Sequence, residues 1–392
     1  MLVFEFKTYG KPEQFAAIDD AIRTVQFIRN KCIRFWMDNP KSNKYDLSKQ
    51  SAILAKEFPF ADELNSTARQ VGTERAWSAI SRFYDNCKSK VSGKKGFPEF
   101  QKDNRSVQYK VSGWKLALDR KSIVFTDKKG IGKLKLKGTR ELNFYQPDQI
   151  KRVGLVKRAD GYYVQFCISV ERQEVIEPTH QTIGLDVGLE SFYTDSQGNK
   201  VENPQFYRTG ERKMKRAQRL VSRKVKGSSN RHKARVKLGR VHLKISRQRK
   251  DHAIKLARCV ITSNDVVVYE NLRIKNMVKN HCLAKSISDA GWYQFRIWLE
   301  YFGRVFGRIT IAVNPAYTSQ QCSRCGVVVK KSLSTRTHVC QCGCRFNRDH
   351  NAGINILNSG LGTVGHTGTF ALDASNASGE STSILVGASL LG

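Results

Sequence analysis

The chain is short of negative charge. Its 392 residues hold 34 Asp and Glu against 68 Lys and Arg, a formal charge of +34 with a pI near 10.0. A compact monomer with that excess repels itself unless a polyanion neutralises it, so the missing anions are expected on a partner. A basic surface kept only for solubility is the blander alternative. No apolar run is long enough to span a bilayer and no lipidation motif is present, which disfavours a membrane as the polyanion. The opening MLVFEFKTYGK lacks a charged leader, an apolar block and a small-residue cleavage site. It reads as a strand, not a signal peptide, and the expected location is the cytoplasm. Nucleic acid is the expected partner, with no small-molecule substrate.

A disulfide framework is also missing. Of the 10 cysteines, Cys32, Cys87, Cys167, Cys259 and Cys282 are scattered and read as core or inert thiols. Cys322, Cys325, Cys340, Cys342 and Cys344 crowd into one stretch, which in a basic intracellular chain argues for metal.

What is present is enough chain for two or three domains and a 40% hydrophobic content that is ordinary for a globular protein. Residues 2–7 alternate as a strand. Phe15, Ile18, Ile22, Val25, Ile28, Cys32 and Trp36 then recur at helical spacing, a core stripe. Further helices are expected over 47–58 and from Ser66, where Ala76, Ile80, Phe83 and Cys87 share a face. After the breaker Lys94-Lys-Gly-Phe-Pro98 come short strands at 106–111, 115–118, 122–125, 133–136, 149–157 and 161–170. Their spacing suggests a small barrel or sandwich that the opening strand could complete, with the helical block inserted. From Thr182 the pattern turns α/β. A strand over 182–186 and a hairpin over 191–202 precede a basic helical region over 212–258, broken near Gly227-Ser-Ser-Asn230. A strand at 265–270, a helix at 292–306, a strand at 308–313 and a helix at 350–358 follow. The tail from Gly360, rich in Gly, Ser, Thr and Ala, has little to bury and is expected to be disordered.

Three acids stand in unusual places. Asp186 ends the apolar strand Ile183-Gly-Leu-Asp-Val-Gly188, Glu270 ends the apolar run from Val266, and Asp349 opens the last helix. An acid at the end of a buried strand is costly without a partner charge. Two-metal phosphodiester hydrolysis wants this arrangement, because carboxylates hold Mg²⁺, strand ends place them rigidly and a helix N-terminus tolerates an anion. The order strand–hairpin–helix–strand–helix is that of an RNase H-like layer in which such acids converge. Singly, each acid has an everyday role open to it: a turn residue, a rim charge, a helix cap.

Cys322-Ser-Arg-Cys325-Gly326 is a C-x2-C knuckle, followed by Cys340-Gln-Cys342-Gly-Cys344. Two thiol pairs joined by a short loop read as a structural zinc ribbon. Cys340 and Cys342 are the favoured second pair, with Cys344 as a substitute, because C-x-C replaces the usual spacing. Between the catalytic elements, Lys215, Arg216, Arg219, Arg223, Lys233 and Arg240 belong to an almost purely basic stretch suited to phosphate contact, although a charge run is more often a solvated face. Ser66, Arg69, Gln70 and Thr73 would share the polar face of the third helix and could read base edges; an ordinary wet face is the alternative.

The series Gly-Leu-Asp186-Val-Gly, Val-Val-Tyr-Glu270-Asn-Leu, Cys-Ser-Arg-Cys-Gly and Asn-Arg-Asp349-His-Asn-Ala-Gly-Ile-Asn-Ile resembles the TnpB (OrfB) family of insertion elements, related to type V CRISPR effectors. Lys95-Gly-Phe-Pro98 and the opening strand–helix fit the same pattern. The resemblance covers the chain to about Asn358. It implies a multi-domain α/β and β protein: a RuvC-type, RNase H-like nuclease domain with a zinc-ribbon insert, and a small wedge β-barrel with an inserted helical recognition domain. The division it implies is 1–10 for the first wedge strand, 11–92 for recognition and 93–180 for the wedge. The nuclease domain takes 181–314, the ribbon 315–346, the last nuclease segment 347–360 and the tail 361–392. It further implies two catalytic Mg²⁺ on Asp186, Glu270 and Asp349, Zn²⁺ on Cys322, Cys325, Cys340 and Cys342, a guide RNA from the element's end, and double-stranded target DNA cut beside a short flanking motif. Such a protein would associate with a prokaryotic nucleoid. A nuclease-silent RNA-guided repressor and a zinc-ribbon transposase acting without RNA are the alternatives.

Overall fold

The structure, a computed structural model, describes residues 1–89, 93–332 and 334–366, with side chains as far as 362. It divides into two compact units, residues 1–172 with 207–248, and residues 173–206 with those from 249 onward.

In the first unit β1 (Leu2–Tyr9) turns Phe4, Phe6 and Thr8 inward, and α1 (Pro12–Asp38) follows with proline in its first turn, where a missing N–H costs nothing. The stripe predicted from spacing is buried at Ile18, Ile22, Val25, Ile28, Cys32 and Trp36. α2 (Lys44–Glu57) starts three residues before the expected Leu47, because the Asn43 side chain accepts from the N–H groups of Tyr45 and Asp46 and caps it. α3 (Pro59–Asp62) is a single turn that periodicity cannot reveal, and α4 (Ser66–Lys88) is capped by Asn65. The expected end of the helical block at 92 lies outside the described residues. Six strands follow: β2 (Ser106–Tyr109), β3 (Trp114–Leu116), β4 (Ser122–Phe125), β5 (Lys133–Lys137), β6 (Ile150–Arg158) and β7 (Gly161–Ile168). All pair antiparallel in the order β2-β6-β7-β1-β5-β4-β3. The opening strand therefore lies mid-sheet between β7 and β5, and the helical block interrupts one sheet.

The chain continues through β8 (Thr182–Val187), β9 (Ser191–Asp195), β10 (Lys200–Glu202), α5 (Phe206–Ser222) and α6 (Ser229–Ser263). Residues 207–248 group with the first unit. They meet the β6–β7 turn, where Arg247 pairs with Asp160 at 2.7 Å and Arg240 Nε donates to the Ala159 carbonyl at 3.2 Å.

The second unit is completed by β11 (Val266–Glu270), α7 (Ile274–Met277), α8 (His281–Ala290), α9 (Trp292–Phe306), β12 (Ile309–Val313), β13 (Thr337–Val339), β14 (Arg345–Asn347) and α10 (Arg348–His366). Its main sheet runs β10-β9-β8-β11-β12, with β8, β9 and β10 antiparallel and β11 and β12 parallel to β8. Alternate residues of β11 serve opposite faces. Val267 and Tyr269 join Phe295, Leu299 and Phe302 of α9, while Val268 packs with Val313 and Ile356 of α10. α10 runs to His366, well past the expected Asn358, so the residues just after Gly360 are helix and not tail. Gly360 reads as loop composition, but a Cβ there would stand 2.5 Å from the Val268 methyls, so the helix needs glycine to lie against β11. The tail beyond 366 lies outside the described residues.

The scattered cysteines do not all behave as core. Cys32 is buried and Cys167 half-buried, but Cys87, Cys259 and Cys282 are exposed. Among the described residues, no helix is long and apolar enough to cross a membrane.

Candidate active site and metal centre

β8 and β11 run parallel with Leu185 opposite Tyr269. The next residues, Asp186 and Glu270, therefore emerge together at the C-terminal ends of adjacent strands. The third acid arrives on α10, and a glycine contact brings it there. A Cβ on Gly184 would stand 2.3 Å from the Gly353 carbonyl and 2.7 Å from the Leu357 N of α10. Glycine at 184 thus lets the helix backbone touch the strand, and Asp349 lies one turn before Gly353. Gly184→Ala sets a methyl against backbone that cannot yield. It is expected to cost about 1–3 kcal/mol, read as a lower denaturant midpoint; an unchanged midpoint would show that the close approach is not needed.

Asp186 feels the charges of the other two acids. Burial, then the charges of Glu270 and Asp349, push the Asp186 carboxyl well above its ordinary range, with Arg348 opposing them. Burial also raises Glu270, against a hydrogen bond from Thr318. Their oxygens are not all within 4.8 Å of one another, a spread wider than that of the cysteine cluster below. Like charges gathered at a strand end favour a cation among them, and hard oxygen donors suit a divalent one. A fourth acid nearby, Asp195 on β9, is spent otherwise: its carboxylate accepts from Gln197 N, Asn199 N and Asn199 Nδ2.

The raised Asp186 predicts a pH effect. Above the ordinary carboxylate range and up to the raised pKa, the folded chain keeps a proton that the unfolded chain has lost. Stability of metal-free protein then falls as pH rises through that window. Asp186→Asn removes this penalty, so in EDTA at neutral pH the variant is expected to melt higher than the parent, the gap closing on acidification. A lower melting temperature for the variant contradicts this.

The cysteine cluster folds as two tight turns, with Gly326 (φ +78°) and Gly343 (φ +81°) in the left-handed conformation that each turn requires. The sulfurs of Cys322, Cys325, Cys340 and Cys342 lie within 4.8 Å of one another. Cys322 and Cys342 are 3.7 Å apart and Cys325 and Cys340 3.5 Å. A tetrahedral site with Zn–S of about 2.3 Å spaces its sulfurs by about 3.8 Å, so the four fit one zinc ion. Burial opposes ionisation of Cys322, but the N–H groups of Cys325 and Arg324 outweigh it and hold the thiol down at about 5. Cys344 groups instead with Cys322 and the buried His338, whose Nδ1 meets Lys331 Nζ.

Spacing did not single out three polar residues here: Thr318, Asn351 and Asn355, all buried. Thr318 Oγ1 donates to Glu270 Oε1 at 2.6 Å. The two asparagines, four apart on α10, grip the segment that carries Thr318 and Cys322. Their spacing on one helix face was the available signal.

Comparison with known proteins places this arrangement. A family model described as "Probable transposase" (OrfB) matches residues 165–281, and one described as "Cas12f1-like, TNB domain" matches 292–356. A protein of Streptomyces pristinaespiralis named "Putative RNA-guided DNA endonuclease" is 32% identical over 91% of this chain and 89% of its own length. The chain belongs to the TnpB (OrfB) family. InsQ of Escherichia coli K12, which bears the same descriptive name, is 30% identical over 91% of this chain and 92% of its own. A Cas12f1 solved with single-guide RNA and target DNA shares the mixed α/β fold with several sheets, at a TM-score of 0.52 and 14% identity over 88% of this chain and 81% of that one.

The nucleic-acid contacts expected of a TnpB chain divide in two. Lys215, Arg216, Arg219, Lys233 and Arg240 are exposed on α5 and α6 and Arg223 in the turn between them, with Lys215 paired to Glu211. The α4 set is different. Ser66 and Gln70 are exposed, but Thr73 is buried and donates to the Gln70 carbonyl, so it does not share their face. Arg69 turns its Nη1 back onto the carbonyls of Ala61, Asp62 and Leu64, where it caps α3. A helix wheel assigns polarity, not which polar groups the preceding turn consumes.

Proposed function

We propose that this protein is an RNA-guided DNA endonuclease that hydrolyses target DNA at Asp186, Glu270 and Asp349. The observation that carries the reading is the convergence of these acids from two parallel strand ends and a helix start, with the Asp186 carboxyl raised above its ordinary range by burial and by the charges of the other two. The sheet order, three antiparallel strands followed by two parallel ones, supports an RNase H-like, RuvC-type domain. The names of the relatives support guide RNA and target DNA as partners.

In this reading the acids hold two Mg²⁺, which when bound supply a hydroxide-like nucleophile and charge neutralisation at the leaving oxygen. Asp186 and Glu270 give rigid placement from neighbouring strands. Asp349 adds an anion at a helix N-terminus, where the dipole favours it. Thr318 holds one oxygen of Glu270. Cys322, Cys325, Cys340 and Cys342 hold a structural Zn²⁺ with no open position. The seven-stranded sheet acts as the wedge and the helical block 12–88 as the recognition insert. The exposed basic residues of α5 and α6 fix phosphates without reading sequence. The protein works on the nucleoid of a prokaryotic cell.

Co-expression with the element's flanking DNA tests the partner. The purified protein is expected to retain one discrete RNA that maps to the element's end. Purification free of RNA, with DNA binding intact, would favour the transposase that acts alone.

A further inference from the structure

We infer that Thr318 is a positioning residue for Glu270, and that α10 fixes it there through Asn351 and Asn355. The inference rests on the nuclease reading and concerns how that site is held.

Glu270 is the last residue of β11. Thr318 Oγ1 donates to Oε1 at 2.6 Å, far closer than its other acceptor, the Pro315 carbonyl at 3.3 Å. This bond to Oε1 orients the carboxylate and leaves Oε2 for a cation. Thr318 is itself held on both sides. Tyr317 before it sits at φ +64°, a strained conformation for a side-chain-bearing residue, and its carbonyl accepts from Gln320 N and Gln321 N. From the other side, Asn355 Nδ2 donates to the carbonyls of Thr318 at 2.8 Å and Gln321 at 2.7 Å. Asn351 Nδ2 donates to the same Gln321 carbonyl at 2.7 Å and its Oδ1 accepts from Ser323 N at 3.0 Å. Buried amides that meet backbone carbonyls in this way are expensive to leave unpaired, so the clamp is rigid.

The consequence is a physical link. The helix that carries Asp349 grips the loop that carries Thr318 to Glu270, and the same loop runs straight into Cys322 of the cysteine cluster. Two of the three acids and the metal ribbon are therefore set against one another by one run of hydrogen bonds. Groups that orient a metal ligand in this way typically change metal affinity or activity by about 10- to 100-fold when lost.

The experiment titrates Mg²⁺ in a cleavage assay with RNA-loaded protein and matched target. Thr318→Val removes the hydroxyl and keeps the shape; Thr318→Ser restores it. Thr318→Val is expected to raise the Mg²⁺ concentration for half-maximal cleavage by about 10- to 100-fold, with target binding in EDTA and zinc content unchanged, and Thr318→Ser to return it close to the parent. Asn355→Ala is expected to shift the same curve in the same direction, and it carries the test if Thr318→Val does not fold. A Thr318→Val curve that overlays the parent overturns the inference, as does a serine variant as impaired as the valine one. A parent protein that cuts nothing overturns the nuclease reading and this inference together.

Discussion

Asp186→Ala is expected to abolish target cleavage while leaving RNA retention and target binding near the parent level. Asp186 is the acid on which the others converge: it follows Leu185 in register with Tyr269, and Glu270 and Asp349 both raise its pKa. Metal assistance is worth several kcal/mol of barrier, each 1.36 kcal/mol a factor of ten, so a loss of about 10³-fold or more is expected. Binding should survive because the exposed basic groups of α5 and α6 remain. The check is a paired measurement of cleavage rate and binding in EDTA. Loss of both together would make Asp186 a structural acid.

Cys322→Ser has the second large effect. Zinc contributes about 10–16 kcal/mol of apparent binding energy to small thiolate domains, and the ribbon has little else to hold it. Its own apolar cluster is three cysteines with Val329 packed beside them. The variant is expected to lose its zinc and to become sensitive to protease within 315–346. Because Thr318 and Cys322 share one loop, cleavage should fall as well. One zinc per chain retained, with the ribbon still resistant, would mean that these thiols do not bind it.

Asp186 and Glu270 stand out in the sequence because each interrupts an apolar pattern: a carboxylate after Ile183-Gly-Leu185 or after Val266-Val-Val-Tyr269 breaks a buried strand where nothing local requires it; Asp349 stands out by its place at a helix start. The knuckles were legible from cysteine spacing. The assignment of Cys344 was less so, since spacing alone does not say that Cys340 turns back through Gly343 to stand 3.5 Å from Cys325. What stayed hidden depends on tertiary contact. Gly184, Gly353 and Gly360 look like weak points in a strand and a helix, yet they are where α10 meets the sheet. Arg69 and Thr73 sit at polar positions of a helix wheel, but Arg69 is consumed by the neighbouring turn and Thr73 is buried against its own helix backbone. Arg247 of α6 pairs with Asp160 of the β6–β7 turn, a contact that order along the chain does not show. Thr318 carries no spacing signal at all; only its hydrogen bond to Glu270 reveals it.

The central claim is most directly tested by challenging RNA-loaded protein with plasmids that carry the guide-matched target beside a randomised flank, with Mg²⁺ and with EDTA. The account predicts Mg²⁺-dependent cuts confined to matched targets with particular flanks, and none from the Asp186→Ala protein. Cutting that ignores the guide, or survives the loss of Asp186, would contradict it.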